Sequence, residues 1–136
     1  MGRILAIDYG LKRTGIAVTD PLKIIATPLD TIQTASLITF LKVYSEKEEI
    51  ELFVIGMPKT LDNQDSSIAS HVRGFIKKIS KILPTIPIQE VDERFTSSIA
   101  QKAIIEAGVK KKDRQNKSTI DKISATLILQ EYLNSH

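Results

Sequence analysis

Apolar residues fall into short runs along this chain, and the spacing within the runs switches between an extended and a helical period. RILAIDYG, residues 3–10, is rich in branched apolar side chains and closes on Gly10; GIAVTD follows a tight turn at LKRT, and KIIATPLDTI can supply a third extended segment. The N-terminal third therefore predicts an antiparallel meander. In SLITFLKVYSEKEEIE the positions Leu37, Phe40, Leu41 and Tyr44 recur at helical spacing and give way to charge, the mark of an amphipathic helix. LFVIGMP is a continuous apolar run closed by Gly56 and Pro58, which suits a strand buried on both faces of a sheet. Ile68, Val72, Phe75, Ile76, Ile79 and Leu83 mark a second helix, and PIPIQEVDER another strand. SSIAQKAIIEAG reads as a third helix stopped by Gly108, and a last helix runs from about Ser118 to Leu133, beyond the loop VKKKDRQNK.

Hairpin-linked strands followed by alternating helix and strand make an α/β fold, a mixed five-stranded sheet flanked by helices. There is no internal repeat or linker, and 136 residues suit one domain over 1–136 with a proper core. Hydrophobic residues at 42% and charged residues at 26% are globular proportions, with no apolar run long enough to span a bilayer and no basic-then-apolar leader. No membrane partner is expected. The lack of cysteine removes a disulfide framework and a thiolate zinc site, and a cytoplasmic location is the expectation. Lysine and arginine outnumber aspartate and glutamate by only 19 to 16, too few to name a partner unless they cluster.

One acid interrupts the first apolar run. Asp8 falls at the end of the first predicted strand, where α/β sheets open into clefts, and a carboxylate placed there needs hydrogen bonds or a cation to answer for it. Backbone amides of the turn at Tyr9 to Leu11 could do so, and so could a metal. Asp92 and Glu93 lie side by side at the end of a second apolar strand, so alternation sends them to opposite faces, and Arg94 could pair with either. Asp121 stands three residues after Ser118, the spacing of a helix capping box. It also leads an apolar stripe through Ala125, Ile128 and Tyr132. Taken together, strand-end acids and a helix acid converging on one end of a sheet are what a two-metal phosphodiester cleavage site requires, since carboxylates are hard ligands for Mg²⁺ or Mn²⁺.

The positive charge is concentrated just before Asp121. KKKDRQNK, residues 110–117, holds Lys110, Lys111, Lys112, Arg114 and Lys117 against one acid, and Lys12 and Arg13 follow Asp8. Either group can be a solvated turn, or can hold phosphates of a nucleic-acid backbone beside the acids. Aromatic residues are 5% with no tryptophan, which disfavours a stacking platform for single strands. His71 and His136 lack the spacing of a zinc site, and His71 reads as a helix-surface residue.

The succession AIDYGLKRTGIAV, DPLKIIATPL, VIGMP, VDERFTS, IIEAGVKKK and IDKISATLILQEYL, over essentially the whole chain, resembles the YqgF family, Holliday-junction-resolvase-like nucleases of pre-16S rRNA processing. The resemblance implies a ribonuclease-H-like fold and a cytoplasmic divalent-metal nuclease using two Mg²⁺ or Mn²⁺ ions. Matched residue by residue, Asp8, Glu93 and Asp121 become the catalytic and metal-holding acids, with Asp92 in reserve should the register favour the other face. Arg13 and Arg94 become phosphate contacts. Where relatives often carry a glycine after the G-x-P motif this chain reads KTLDNQDSS, and Asn63 can supply the left-handed backbone instead.

Two other functions compete. Asp8, Gly10 and Gly15 also resemble the phosphate loop of actin-like kinases and chaperone ATPases, which use two such domains where this chain has length for one. A module that holds RNA without cutting it is the other. The substrate, pre-rRNA or a four-way DNA junction, and the choice of monomer or homodimer are left open by the residues.

Overall fold

A computed structural model describes residues 2–57, 68–92 and 117–135 of the chain. Strand β1 (Arg3–Asp8) pairs antiparallel with β2 (Arg13–Thr19), which pairs antiparallel with β3 (Ala26–Gln33). A single 3-10 turn (Thr34–Ser36) leads into helix α1 (Leu37–Lys47). The chain then returns to the other side of β1 as β4 (Ile50–Met57), parallel to it. Helix α2 (Ala69–Ile82) precedes β5 (Ile88–Asp92), parallel to β4, and helix α3 (Lys117–Ser135) follows. The sheet order is β3-β2-β1-β4-β5, the mixed five-stranded sheet that the apolar pattern implies.

Two boundaries next to β1 differ from the pattern. The EKEEIE stretch has the charge and propensity of a helix end, yet α1 stops at Lys47, and Glu48 is extended at φ −128° and ψ 135°. The ladder to β1 wins there: the Arg3 amide donates to the Glu49 carbonyl at 2.8 Å, and Ile50 enters the sheet and is buried. On β2, Arg13 and Thr14 are already paired with Gln33 and Ile32, so the first turn is shorter than LKRT.

Strand alternation divides the core between the two faces. Leu5, Ile7, Ile16, Phe53 and Ile55 face Leu37 and Leu41 of α1 and Val72, Phe75 and Ile79 of α2. Ile4, Ala6, Ala17 and Val54 face Ala125, Ile128 and Leu129 of α3. Alanine on both sides of this second interface lets α3 lie close to the strands.

The predicted helix SSIAQKAIIEAG, the loop VKKKDRQNK up to residue 116 and the segment containing Asn63 lie outside the described residues. The capping box does not hold, because Ser118 is already inside α3 and its first turn contains no acid. α3 also continues beyond Leu133 to Ser135.

Candidate active site

Asp8 ends β1 at the point where the strand order reverses. The chain runs outward from β1 through β2 and β3, then comes back to β4 on the opposite side, so the carboxyl end of β1 borders the crevice that this reversal opens. Ile4 and Ala6 belong to the α3 side of the core, and Asp8 follows them at period two onto the same face. It is half-buried.

Its neighbours in that row are glycines. Asp8 pairs with Gly15 of β2. On the other side, the parallel register that aligns Ile7 with Ile55 brings Gly56 level with Asp8, and Gly56 aligns in turn with Val91 of β5. The α3-side row therefore reads Gly15, Asp8, Gly56, Val91. Two strand spacings, about 10 Å, separate β1 from β5, with a bare glycine backbone between them. An isolated glycine inside a buried strand is a sign of close approach by backbone or ligand, and Gly56 had that signal in sequence.

The loop after Asp8 is braced on the other face. The Tyr9 ring sits 5.3 Å from that of Phe75 in α2. Thr34 spans the loop: its amide donates to the Lys12 carbonyl at 2.9 Å and its hydroxyl to the Gly10 carbonyl at 2.6 Å, while the Thr14 and Thr34 hydroxyls are 2.9 Å apart. Gly10 is obligatory here, since a Cβ on it would lie 2.2 Å from the Arg13 carbonyl oxygen. The loop thus has little freedom, and it presents Lys12 to solvent just after the acid. Nothing in the sequence singled out Thr34, because its partners are distant in the chain.

The carboxyl ends of β1, β4 and β5 emerge at the same edge, and β5 ends at Asp92, aligned with Met57. Glu93, Arg94, Lys110, Lys111, Lys112 and Arg114 lie outside the described residues, as do the side chains of Asp92, Lys117 and Asp121. The backbone of α3 has a clear direction. Tyr132 and Leu133 line a cleft with Ile4, Glu51 and Leu52, at the amino ends of β1 and β4, so α3 runs antiparallel to β1. From Tyr132 back to Asp121 the helix rises about 16 Å, against about 13 Å from Ile4 to Asp8 along the strand. The α3 backbone at Asp121 is therefore near the level of Asp8. Among the described residues no three His, Cys, Asp or Glu side chains form a metal-holding group.

Two clefts among the described residues border the sheet. The larger, about 610 Å³, is the one at the amino ends of β1 and β4, away from Asp8. The smaller, about 390 Å³, lies beneath Tyr9 between Thr34, Ile38 and α2. No described helix is long and apolar enough to cross a membrane.

The chain matches the family RuvX, described as Holliday junction resolvase, over residues 2–135. It is 53% identical over 135 residues to a protein of Phocaeicola vulgatus described as "Putative pre-16S rRNA nuclease", covering 99% of this chain and 97% of the relative. A protein of Flavobacterium johnsoniae with the same description is also 53% identical, over 99% of this chain and 98% of that one. Among solved structures, Thermus thermophilus RuvC in complex with a Holliday junction substrate superposes with a TM-score of 0.59 at 12% identity, covering 99% of this chain and 96% of RuvC. That likeness shows the fold, which is ribonuclease-H-like. The match to the family over almost the whole chain and the relatives near half identity agree with the order of motifs, and the chain belongs to the RuvX, or YqgF, family of Holliday-junction-resolvase-like proteins.

Proposed function

We propose that this chain, acting as one nuclease domain over residues 1–136, is a cytoplasmic endonuclease that uses divalent metal to mature the 5′ end of pre-16S rRNA. The observation that carries the reading is Asp8, half-buried at the carboxyl end of β1 where the strand order reverses, with glycine on both neighbouring strands. The descriptions of the relatives supply the substrate.

The donor set fits Mg²⁺ or Mn²⁺. Asp8, Glu93 and Asp121 are all carboxylates, hard oxygen donors, with no cysteine in the chain to favour a softer metal. The carboxyl ends of β1 and β5 lie two strand spacings, about 10 Å, apart at one sheet edge, and acids there would hold two such ions. Asp8 would hold both ions, and Glu93 and Asp121 one each, with Asp92 standing in for Glu93 if the strand end turns the other way. Such a pair, when bound, supplies an activated water and a counter-charge for the leaving oxygen. The chain's own part is to keep the acids convergent on a rigid sheet edge and to seat the backbone. Lys12, Arg13, Arg94, Lys110, Lys111, Lys112, Arg114 and Lys117 would hold phosphates, which positions a strand without reading its bases.

The test is cleavage of a 5′-extended 16S precursor RNA and, in parallel, of a four-way DNA junction, with Mg²⁺ or Mn²⁺, comparing the native chain with Asp8→Asn. Metal-dependent cutting of the precursor that the variant loses supports the reading. Cutting of the junction alone moves the substrate to branched DNA, and a stable dimer would accompany that result because symmetric resolution needs two active sites. Binding of RNA with no cutting leaves an RNA-holding module.

A further inference from the structure

The smaller cleft lies one residue along the chain from Asp8, on the opposite face of the sheet, and shares Tyr9 and Thr34 with the brace of that loop. Tyr9, Ile38 and Phe75 make its apolar floor, while His71, Gly74 and Lys78 face it from successive turns of α2. Three features set it apart from an ordinary surface groove.

The first is charge. α2 carries His71, Arg73, Lys77, Lys78 and Lys81 and not one acid, and the described residues lining the cleft include none. The second is Gly74. Glycine in a helix interior costs about 1 kcal/mol relative to alanine, and here a Cβ would meet nothing within 4 Å among the described residues, whose packing does not demand it. Its effect is to leave helix backbone bare in the cleft between a histidine and a lysine. The third is continuity. The braced loop that starts at Asp8 forms the cleft wall through Tyr9, so a strand lying against Asp8 and passing over the end of β1 arrives there.

We infer that this cleft is a subsite for a nucleotide of the nucleic-acid substrate flanking the cleavage point, its sugar or base against Tyr9 and Phe75 and its phosphate on Lys78 and His71. The inference rests on the nuclease reading and adds to it a second contact surface, on the α2 side of the sheet. With aromatic residues at only 5% of the chain, this is a seat for one nucleotide and not a stacking platform for a whole strand, and an apolar floor with a cationic rim tolerates any base.

The experiment measures binding of a fluorescein-labelled single-stranded RNA by anisotropy, without divalent metal, over a range of salt. Native protein is compared with Lys78→Glu, with Gly74→Gln and with Lys47→Glu, a reversal at the far end of α1 that makes the same change in net charge. Lys78→Glu should weaken binding about tenfold more than Lys47→Glu and lower the salt slope by about one. Gly74→Gln should raise the melting temperature, because it replaces a helix-interior glycine, and yet weaken binding several-fold by filling the cleft. That opposition is not what a purely structural role would produce. Equal effects of the two charge reversals, together with unchanged binding by Gly74→Gln, would overturn the subsite and leave the nuclease reading standing. Absence of RNA binding by the native chain would overturn both.

Discussion

The Thr34 hydroxyl donates a 2.6 Å hydrogen bond to the carbonyl of Gly10, a residue 24 positions earlier in the chain. Through this bond the segment that leaves β3 holds the loop that leaves β1, so the surroundings of Asp8 depend on a residue two strands away. Thr34→Val should cost about 1–3 kcal/mol in urea unfolding, since the Gly10 carbonyl and Thr14 hydroxyl lose a partner in a partly buried site. It should also slow cleavage beyond what the unfolded fraction accounts for. A cleavage rate per folded molecule equal to that of the native chain would separate the brace from the site.

Gly56 lies level with Asp8 on the neighbouring strand. Gly56→Ala adds one methyl group to the row between β1 and β5 and is expected to raise the Mn²⁺ concentration needed for half-maximal cleavage by roughly 10-fold. The rise in melting temperature that Mn²⁺ gives the native protein should shrink accordingly. An unchanged metal response would mean that the glycine serves strand packing alone.

The close seating of α3 on alanines ties stability to the proposed site. Ala125→Leu overpacks the interface with Ala6 and Ala17 and should cost about 1–3 kcal/mol. By lifting the helix that carries Asp121, it should reduce cleavage strongly. Ile79→Val, in the core on the other face, should cost about 0.5–1.5 kcal/mol with little effect on the rate per folded molecule. The comparison uses chemical denaturation alongside initial rates.

Asp20 provides an acid-range signal remote from the site. Its carboxylate accepts from the amides of Ile25 and Ile24 at 2.8 Å and of Leu22 at 3.1 Å, and these bonds hold its carboxyl below the usual aspartate value. A depressed folded-state value means that the stabilisation is complete above the unfolded aspartate value of about 3.9 and is lost as the pH falls through the lower folded one. Asp20→Asn should flatten that part of the stability profile below pH about 4, where thermal melting of the two proteins would converge.

If the basic loop holds phosphates, replacing Lys110, Lys111 and Lys112 by alanine should lower the slope of log affinity for RNA against log salt by about three. A slope equal to that of the native chain would leave the loop a solvated turn.

Much of the architecture could be read along the chain because the central strands β1, β2 and β4 are mostly apolar on both faces. LFVIGMP has no polar position, so only a strand covered on both sides could use it, and β4 is that strand. Asp8 stood out for the complementary reason, as a charge in a run that is otherwise apolar. The boundary at Ile50 was less legible, since local propensity in EKEEIE points to helix and only pairing with Arg3, nearly fifty residues upstream, stops it.

What the sequence determined by itself was the alternation of strand and helix, the place of Asp8 as a charge in an apolar run and the order of motifs that resembles the YqgF family, all of which are recorded in local period and short motifs. The tertiary structure decided which residues share a row: that Asp8 lies between Gly15 and Gly56, that Thr34 holds Gly10, and that His71 and Lys78 share a cleft with Tyr9. Strand register and helix seating set those neighbours, and both depend on contacts between residues far apart in the chain, which no local spacing records.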